Sequence, residues 1–113
     1  MQIDAYRFGR ITIDGRDYTS DVILAGGRVR DGWWRRQGHR LDPEDLAEVV
    51  AARPRRLLVG TGASGCMAVP PETVAWLAER GIEVEAAPTP EAVARFNREG
   101  DDPEVAACFH LTC

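Results

Sequence analysis

The run Gly60-Thr61-Gly62-Ala63-Ser64-Gly65 directly follows the apolar stretch Leu57-Leu58-Val59. The apolar stretch reads as a short central strand covered on both faces. The glycine spacing after it is the one dinucleotide-binding folds use to bring backbone close to a pyrophosphate at a helix N-terminus. The continuation, Cys66-Met67-Ala68-Val69-Pro70-Pro71, argues against that use. Two prolines stop a helix opened at Gly62 within about two turns. The reading is therefore a tight loop after a buried strand, in the first instance a structural turn, whose N–H groups are also candidates for a small anion or polar-ligand site. Glu83 and Glu85 lie where a ribose-binding carboxylate would stand, about twenty residues on. With 113 residues in all, too little sheet remains to build the second wall of a dinucleotide crevice. Both glutamates read first as solvent-facing strand residues.

That length predicts a single domain over residues 1–113 with one real core. Hydrophobic residues make up 44% and charged residues 28%, which places the chain among folded rather than disordered sequences. All 14 basic residues are arginines, and the formal net charge is −4. The absence of lysine excludes a lysine Schiff base and a P-loop lysine. The acidic balance argues against nonspecific binding to nucleic acid or an anionic membrane, although Arg28, Arg30, Arg35, Arg36 and Arg40 form one locally basic cluster. No apolar stretch is long enough to span a bilayer. The N-terminus lacks a basic leader followed by an apolar run. The three cysteines, Cys66, Cys108 and Cys113, form no disulfide framework, and with the N-terminus they point to a reducing cytoplasm.

The first third predicts a meander. Tyr6, Phe8, Ile11 and Ile13 fall at period two, Asp14-Gly15 marks a hairpin, and Tyr18 to Leu24 reads as one returning strand. Gly26-Gly27 marks a further turn, followed by Val29, Trp33 and Trp34 in another strand or a flap. From Asp42 the chain alternates helices and strands. Asp42 and Pro43 open a helix carrying Leu46, Val49 and Val50, which Pro54 stops. A second helix runs from Pro71 to Arg80 with Val74 and Leu77 inward and Gly81 as its stop. Ile82 to Glu85 is a strand. Thr89-Pro90-Glu91 caps a helix with Val93 and Phe96 inward, ended by Gly100 to Pro103, and Val105 to Leu111 is the last strand. The sum is an α/β domain, a mixed sheet with helices against it and an N-terminal antiparallel β extension.

Three constellations bear on function. His110 and Cys113 have an HxxC spacing, but a zinc site would need the strand end to turn and a distant ligand such as Cys66 or His39. No metal and no cofactor is therefore assigned. A nucleophilic system can be drawn from Cys66 or Ser64 with His110 as base and Asp21 or Glu83 as its orienting carboxylate. The serine does not sit in a G-x-S-x-G elbow, so no catalytic residue is assigned and an enzyme is not the favoured reading. Trp33-Trp34-Arg35-Arg36 is the third. Neighbours on a strand face opposite ways, so covering both indoles takes a turn or a second surface, and tryptophan with arginine is the composition of protein interfaces. Ordinary packing at a sheet edge explains the same residues equally well.

Several segments in order resemble one family: Phe8-Gly9-Arg10-Ile11, Tyr18-Thr19-Ser20-Asp21-Val22, Leu58-Val59-Gly60-Thr61-Gly62, Pro88-Thr89-Pro90-Glu91-Ala92 with Phe96-Asn97, and His110-Leu111-Thr112-Cys113. It is the adipogenesis-associated small-domain family, which also includes mitochondrial complex I assembly factor 3. The resemblance covers essentially the whole chain. It implies a three-layer mixed α/β fold with an antiparallel β extension, and roles in assembly or regulation through protein contacts. It brings no catalytic constellation.

Two functions compete on this basis. The first is a cytoplasmic protein-interaction or assembly module, binding a protein partner or itself through Trp33, Trp34, Arg35 and Arg36, with no nucleic acid or membrane as partner. It expects an apolar patch with a polar rim. The second is a small-ligand protein or enzyme using Gly60, Thr61, Gly62, Ser64 and Gly65 with Asn97 and His110. It expects those positions to converge on one pocket.

Overall fold

The computed structural model describes residues 1–99 and 101–113. Three short strands, β1 (Ile3–Arg7), β2 (Arg10–Ile13) and β3 (Arg16–Tyr18), form an antiparallel sheet in the order β1-β2-β3. Asp14 and Gly15 both take positive φ, 48° and 79°, which makes the β2–β3 connection the hairpin that the Asp-Gly pair predicts. Phe8 is not part of the period-two pattern. It lies in the β1–β2 turn and is 65% exposed, while Ile3, Ile11 and Ile13 point into the core.

The predicted strand from Tyr18 to Leu24 is two strands in two sheets. β3 ends at Tyr18, a bend at Ser20 follows, and β4 (Val22–Ala25) begins in a second sheet. The break has a cause in Asp21, whose carboxylate accepts the N–H of Leu111 at 2.8 Å, so the chain turns there from one sheet to the other. Gly26-Gly27 then turns β4 back into β5 (Arg28–Arg30). Trp33 and Trp34 lie in no strand.

The helix predicted from Asp42 starts as a 3-10 turn, Pro43–Leu46, and only Ala47–Ala52 is α-helical (α1). Asp45 accepts the Asp42 N–H at 2.9 Å, and Arg53 closes the helix with a left-handed φ of 50°. β6 (Arg56–Thr61), α2 (Pro71–Ala78), β7 (Glu83–Ala87), α3 (Thr89–Glu99) and β8 (Val105–His110) complete the chain. In α2 the inward residues are Thr73 and Leu77, one turn apart, while Val74 is 39% exposed. Thr73 takes the position expected of Val74 because its hydroxyl donates to Leu41 O at 2.9 Å. Of the segment predicted to end α3, Gly100 lies outside the described residues, and Asp101 to Pro103 form a turn.

The second sheet has the order β5-β4-β8-β6-β7, with β6 parallel to both β7 and β8 and β4 antiparallel to β8. Its two faces carry two cores, and side chains alternate between them as strand geometry requires. Leu58, Ala107 and Phe109 pack with α3 and the three-stranded sheet. Leu57, Val59, Ala106 and Cys108 pack with Trp33, Val49 of α1 and Leu77 of α2. The layers are thus the three-stranded sheet with α3, the mixed sheet, and α1 with α2, which is the three-layer arrangement expected.

Helix α2 leads from β6 to β7 over one face, and α3 leads from β7 to β8 over the other. The connections leaving β6 and β7 therefore go to opposite faces, and open α/β sheets bind ligands outside the carboxyl ends of strands where connections diverge.

Candidate functional site

The Gly60–Gly65 loop sits at that divergence, and the chain's own C-terminal residues fill it. Ala63 N–H donates to Thr112 O at 2.7 Å, and the N–H groups of Ser64 and Cys66 donate to Cys113 O at 3.2 and 3.0 Å. Gly62 holds a φ of +112°, and a Cβ there would lie 2.4 Å from the Cys113 carbonyl carbon. The glycine spacing thus serves a close backbone approach, as in a dinucleotide fold, but the approaching group is protein. Gly60 is tight for a related reason. A Cβ would meet Phe109 Cδ1 at 2.7 Å and Thr89 Oγ1 at 2.8 Å.

Thr89 was expected as a helix cap, and its hydroxyl does something else. It donates to His110 O at 2.6 Å and accepts the Gly62 N–H at 2.9 Å, which ties α3, β8 and the glycine loop together. Thr61 donates to Ala87 O at 3.1 Å. Asn97 is turned to the other end of its helix, where it accepts the Ile3 N–H at 2.9 Å and donates to Ile3 O at 2.8 Å. Ser64 is exposed. The loop, Asn97 and His110 do not converge on one pocket. Glu85 lies among Arg56 and Arg95 in an ion-pair cluster rather than facing solvent alone, while Glu83 is exposed.

A different set does converge. At the end of β8, His110 shares a face with Cys108, and its Nδ1 lies 2.8 Å from Asp21 Oδ2. The same oxygen accepts from Arg35 Nη1 at 2.7 Å, while Asp21 Oδ1 takes the Leu111 N–H. Arg35 is held further by two donations to Gly38 O, at 3.1 and 2.8 Å, and by the Trp33 ring, 4.8 Å from its Cζ. The Arg35 side chain is only 5% exposed. This carboxylate, guanidinium and imidazole line a cleft of about 420 Å³ with Ser20, Trp34, His39 and Thr112. The His39 ring meets His110 edge-on with centroids 5.7 Å apart. Tyr6 stands close by, donating to Leu111 O at 2.8 Å, and burial together with the Asp21 charge raises its phenol above the ordinary tyrosine range.

The orienting carboxylate drawn from sequence for His110 is therefore in place, at a separation of 89 residues. Cys66 and Ser64, the nucleophiles drawn with it, do not line the cleft. Cys108 is fully buried, and burial pushes its thiol up to about 12. Among the described residues no group of three His, Cys, Asp or Glu side chains is placed to hold a metal ion.

Trp33 and Trp34 divide the work that sequence assigned to both. Trp33 is 3% exposed, its Nε1 donating to Asp45 O at 3.0 Å and its N–H to Asp21 O at 3.0 Å. Trp34 is 86% exposed. Arg36 is a surface residue whose guanidinium lies 3.7 Å from the Glu44 carboxylate and whose backbone N–H donates to Asp45 Oδ1 at 2.9 Å. Sequence reasoning does not single out Ser20 or Thr112 for this cleft. The only local signal is that both border residues it does name, Asp21 and His110.

Residues 3–110 match the family described as protein of unknown function (DUF498/DUF598). The chain belongs to this family. The DUF498/DUF598 assignment agrees with the small-domain resemblance as far as a compact family of unknown function. Solved structures with the same fold include a conserved hypothetical protein from Pyrococcus horikoshii, 31% identical over the whole of both chains with a TM-score of 0.85. Another is the protein designated MT938, 27% identical over 99% of this chain and 98% of its own, with a TM-score of 0.78. A third is a Bartonella henselae protein described as an outer membrane protein, 25% identical over 98% of this chain and 94% of its own, TM-score 0.82. In this DUF498/DUF598 chain, no helix of the described residues is long and apolar enough to cross a membrane.

Proposed function

We propose that this chain is a non-enzymatic protein-interaction module of the cytoplasm, acting in assembly or regulation as the resemblance to the adipogenesis-associated proteins and complex I assembly factor 3 implies. The observation that carries the reading is Trp34, 86% exposed at the lip of the cleft beside a buried and fully bonded Trp33. An exposed indole on a loop held by its neighbour's hydrogen bonds is a partly preorganised anchor, because little loop entropy is left to lose on binding. Phe8, 65% exposed, stands at the same end of the molecule, since Gly9 beside it donates to Leu111 O at 2.9 Å. Trp34 supplies the apolar anchor, and Arg36 a polar edge.

The test is native purification with crosslinking and peptide mapping. A stoichiometric partner, or a second copy of the chain, should crosslink within the Trp33–Arg36 loop and be lost in Trp34→Ala while thermal unfolding is unchanged. A partner retained at full stoichiometry by Trp34→Ala would overturn the reading. A small-ligand role for the same cleft is favoured by one separate observation, at His110.

A further inference from the structure

His110 is 6% exposed, and its Nε2 is buried with no hydrogen-bond partner. A polar atom buried without a partner is costly, and His110 lines the cleft, so a group entering the cleft is placed to supply the missing partner. The other ring nitrogen sets its character. Asp21 Oδ2 lies 2.8 Å from Nδ1, and a carboxylate can only accept, so Nδ1 carries the proton. Arg35 Nη2 also lies 3.0 Å from the same nitrogen, with one of its two N–H groups given to Gly38 O at 2.8 Å, but an unprotonated Nδ1 would set two acceptors, itself and Asp21 Oδ2, 2.8 Å apart. In the neutral ring Nε2 then presents a lone pair. Anionic ligands are disfavoured there, because an acceptor nitrogen backed by a carboxylate repels them and Arg35 is already committed to Asp21. The cleft, at about 420 Å³, is within the usual size for a small-molecule site.

We propose that the cleft binds a neutral small molecule bearing an O–H or N–H donor on a planar apolar body, with the donor bonded to His110 Nε2 and the body along Trp34. Asp21 is a positioning residue: it fixes the tautomer and the ring plane. Arg35 and Leu111 N–H hold Asp21 in turn, and the Trp33 ring under Arg35 keeps the guanidinium in place. The proposal shares its cleft with the interaction reading but needs no protein partner.

Phenol and anisole are the probes, since they have the same ring and differ in the donor. Each is titrated into the full chain while the histidine ring nitrogens and the Trp34 indole are followed by proton–nitrogen correlation spectroscopy. Phenol should shift His110 Nε2 and Trp34 Nε1 saturably, and anisole should bind at least tenfold more weakly. His110→Phe, which keeps a ring and removes the acceptor, should abolish the preference. Should that variant fail to fold, the tautomer of the unaltered chain decides, because a proton found on Nε2 in the neutral ring would overturn the proposal. Equal binding of both probes, or binding of neither, would overturn it as well. A partner lost in Trp34→Ala with no phenol preference keeps the interaction reading and removes this one; a phenol preference with no partner does the reverse.

Discussion

Asp21 carries more of this structure than any neighbouring residue suggests. Its carboxylate holds a buried guanidinium, an imidazole and a backbone N–H at once. Removing it leaves Arg35 charged and buried, a change that costs about 3–5 kcal/mol where a buried pair is broken on one side. Asp21→Ala should lower stability by that order in chemical denaturation. Arg36→Ala, next in sequence to Arg35 but 72% exposed, should change it by less than about 0.5 kcal/mol. The cysteines divide in the same way. Burial holds the Cys108 thiol protonated up to about 12, while Cys66 and Cys113 are exposed. Alkylation with iodoacetamide at about pH 8 should modify Cys66 and Cys113 in the folded chain and reach Cys108 only after denaturant is added, as peptide mass spectrometry would show.

Among the elements, the junction of β6, the glycine loop and α3 depends on two residues of opposite kind, one with no side chain and one with a hydroxyl. Gly62 combines a left-handed φ with a backbone neighbour that cannot move aside. Gly62→Ala should cost roughly 2–3 kcal/mol in equilibrium unfolding, from backbone strain and overpacking together. A loss below about 0.5 kcal/mol would mean that the Thr112–Cys113 segment does not occupy the crevice as described. Thr89 joins three elements by one hydroxyl. Thr89→Val preserves shape and β-branching but strands the Gly62 N–H, and should cost about 2 kcal/mol.

Across the whole molecule, the three-stranded sheet packs on α3 and the mixed sheet through apolar side chains. Asn97 of α3 adds two hydrogen bonds, both to Ile3. Asn97→Ala should therefore act locally. Amide exchange should accelerate through Ile3–Tyr18 while the central strands β6 and β8 keep their protection, and global stability should fall by only about 1–2 kcal/mol. Uniform acceleration across both sheets would show instead that they unfold as one unit.

Local features were readable in the amino-acid sequence because their causes are local. Asp14-Gly15 and Gly26-Gly27 announce turns, the apolar triplet before Gly60 announces a buried strand, and Pro43 and Pro71 place helix starts within a residue or two. The glycine run was legible as a tight loop after a buried strand. Its occupant was not, because Thr112 and Cys113 come into the crevice only when β8 pairs beside β6. The cleft is the same case at longer range. Asp21 and His110 are 89 positions apart, Arg35 and His110 are 75 apart, and neither spacing leaves any periodic trace. Sequence could name His110, Asp21 and the Trp33–Arg36 segment one by one. It could not tell the buried indole from the exposed one, since that depends on which face of the mixed sheet the loop packs against. Local chemistry determined the turns, the helix starts and most strands; tertiary packing decided how they layer and which polar groups meet, because contact between distant residues is a property of the closed fold.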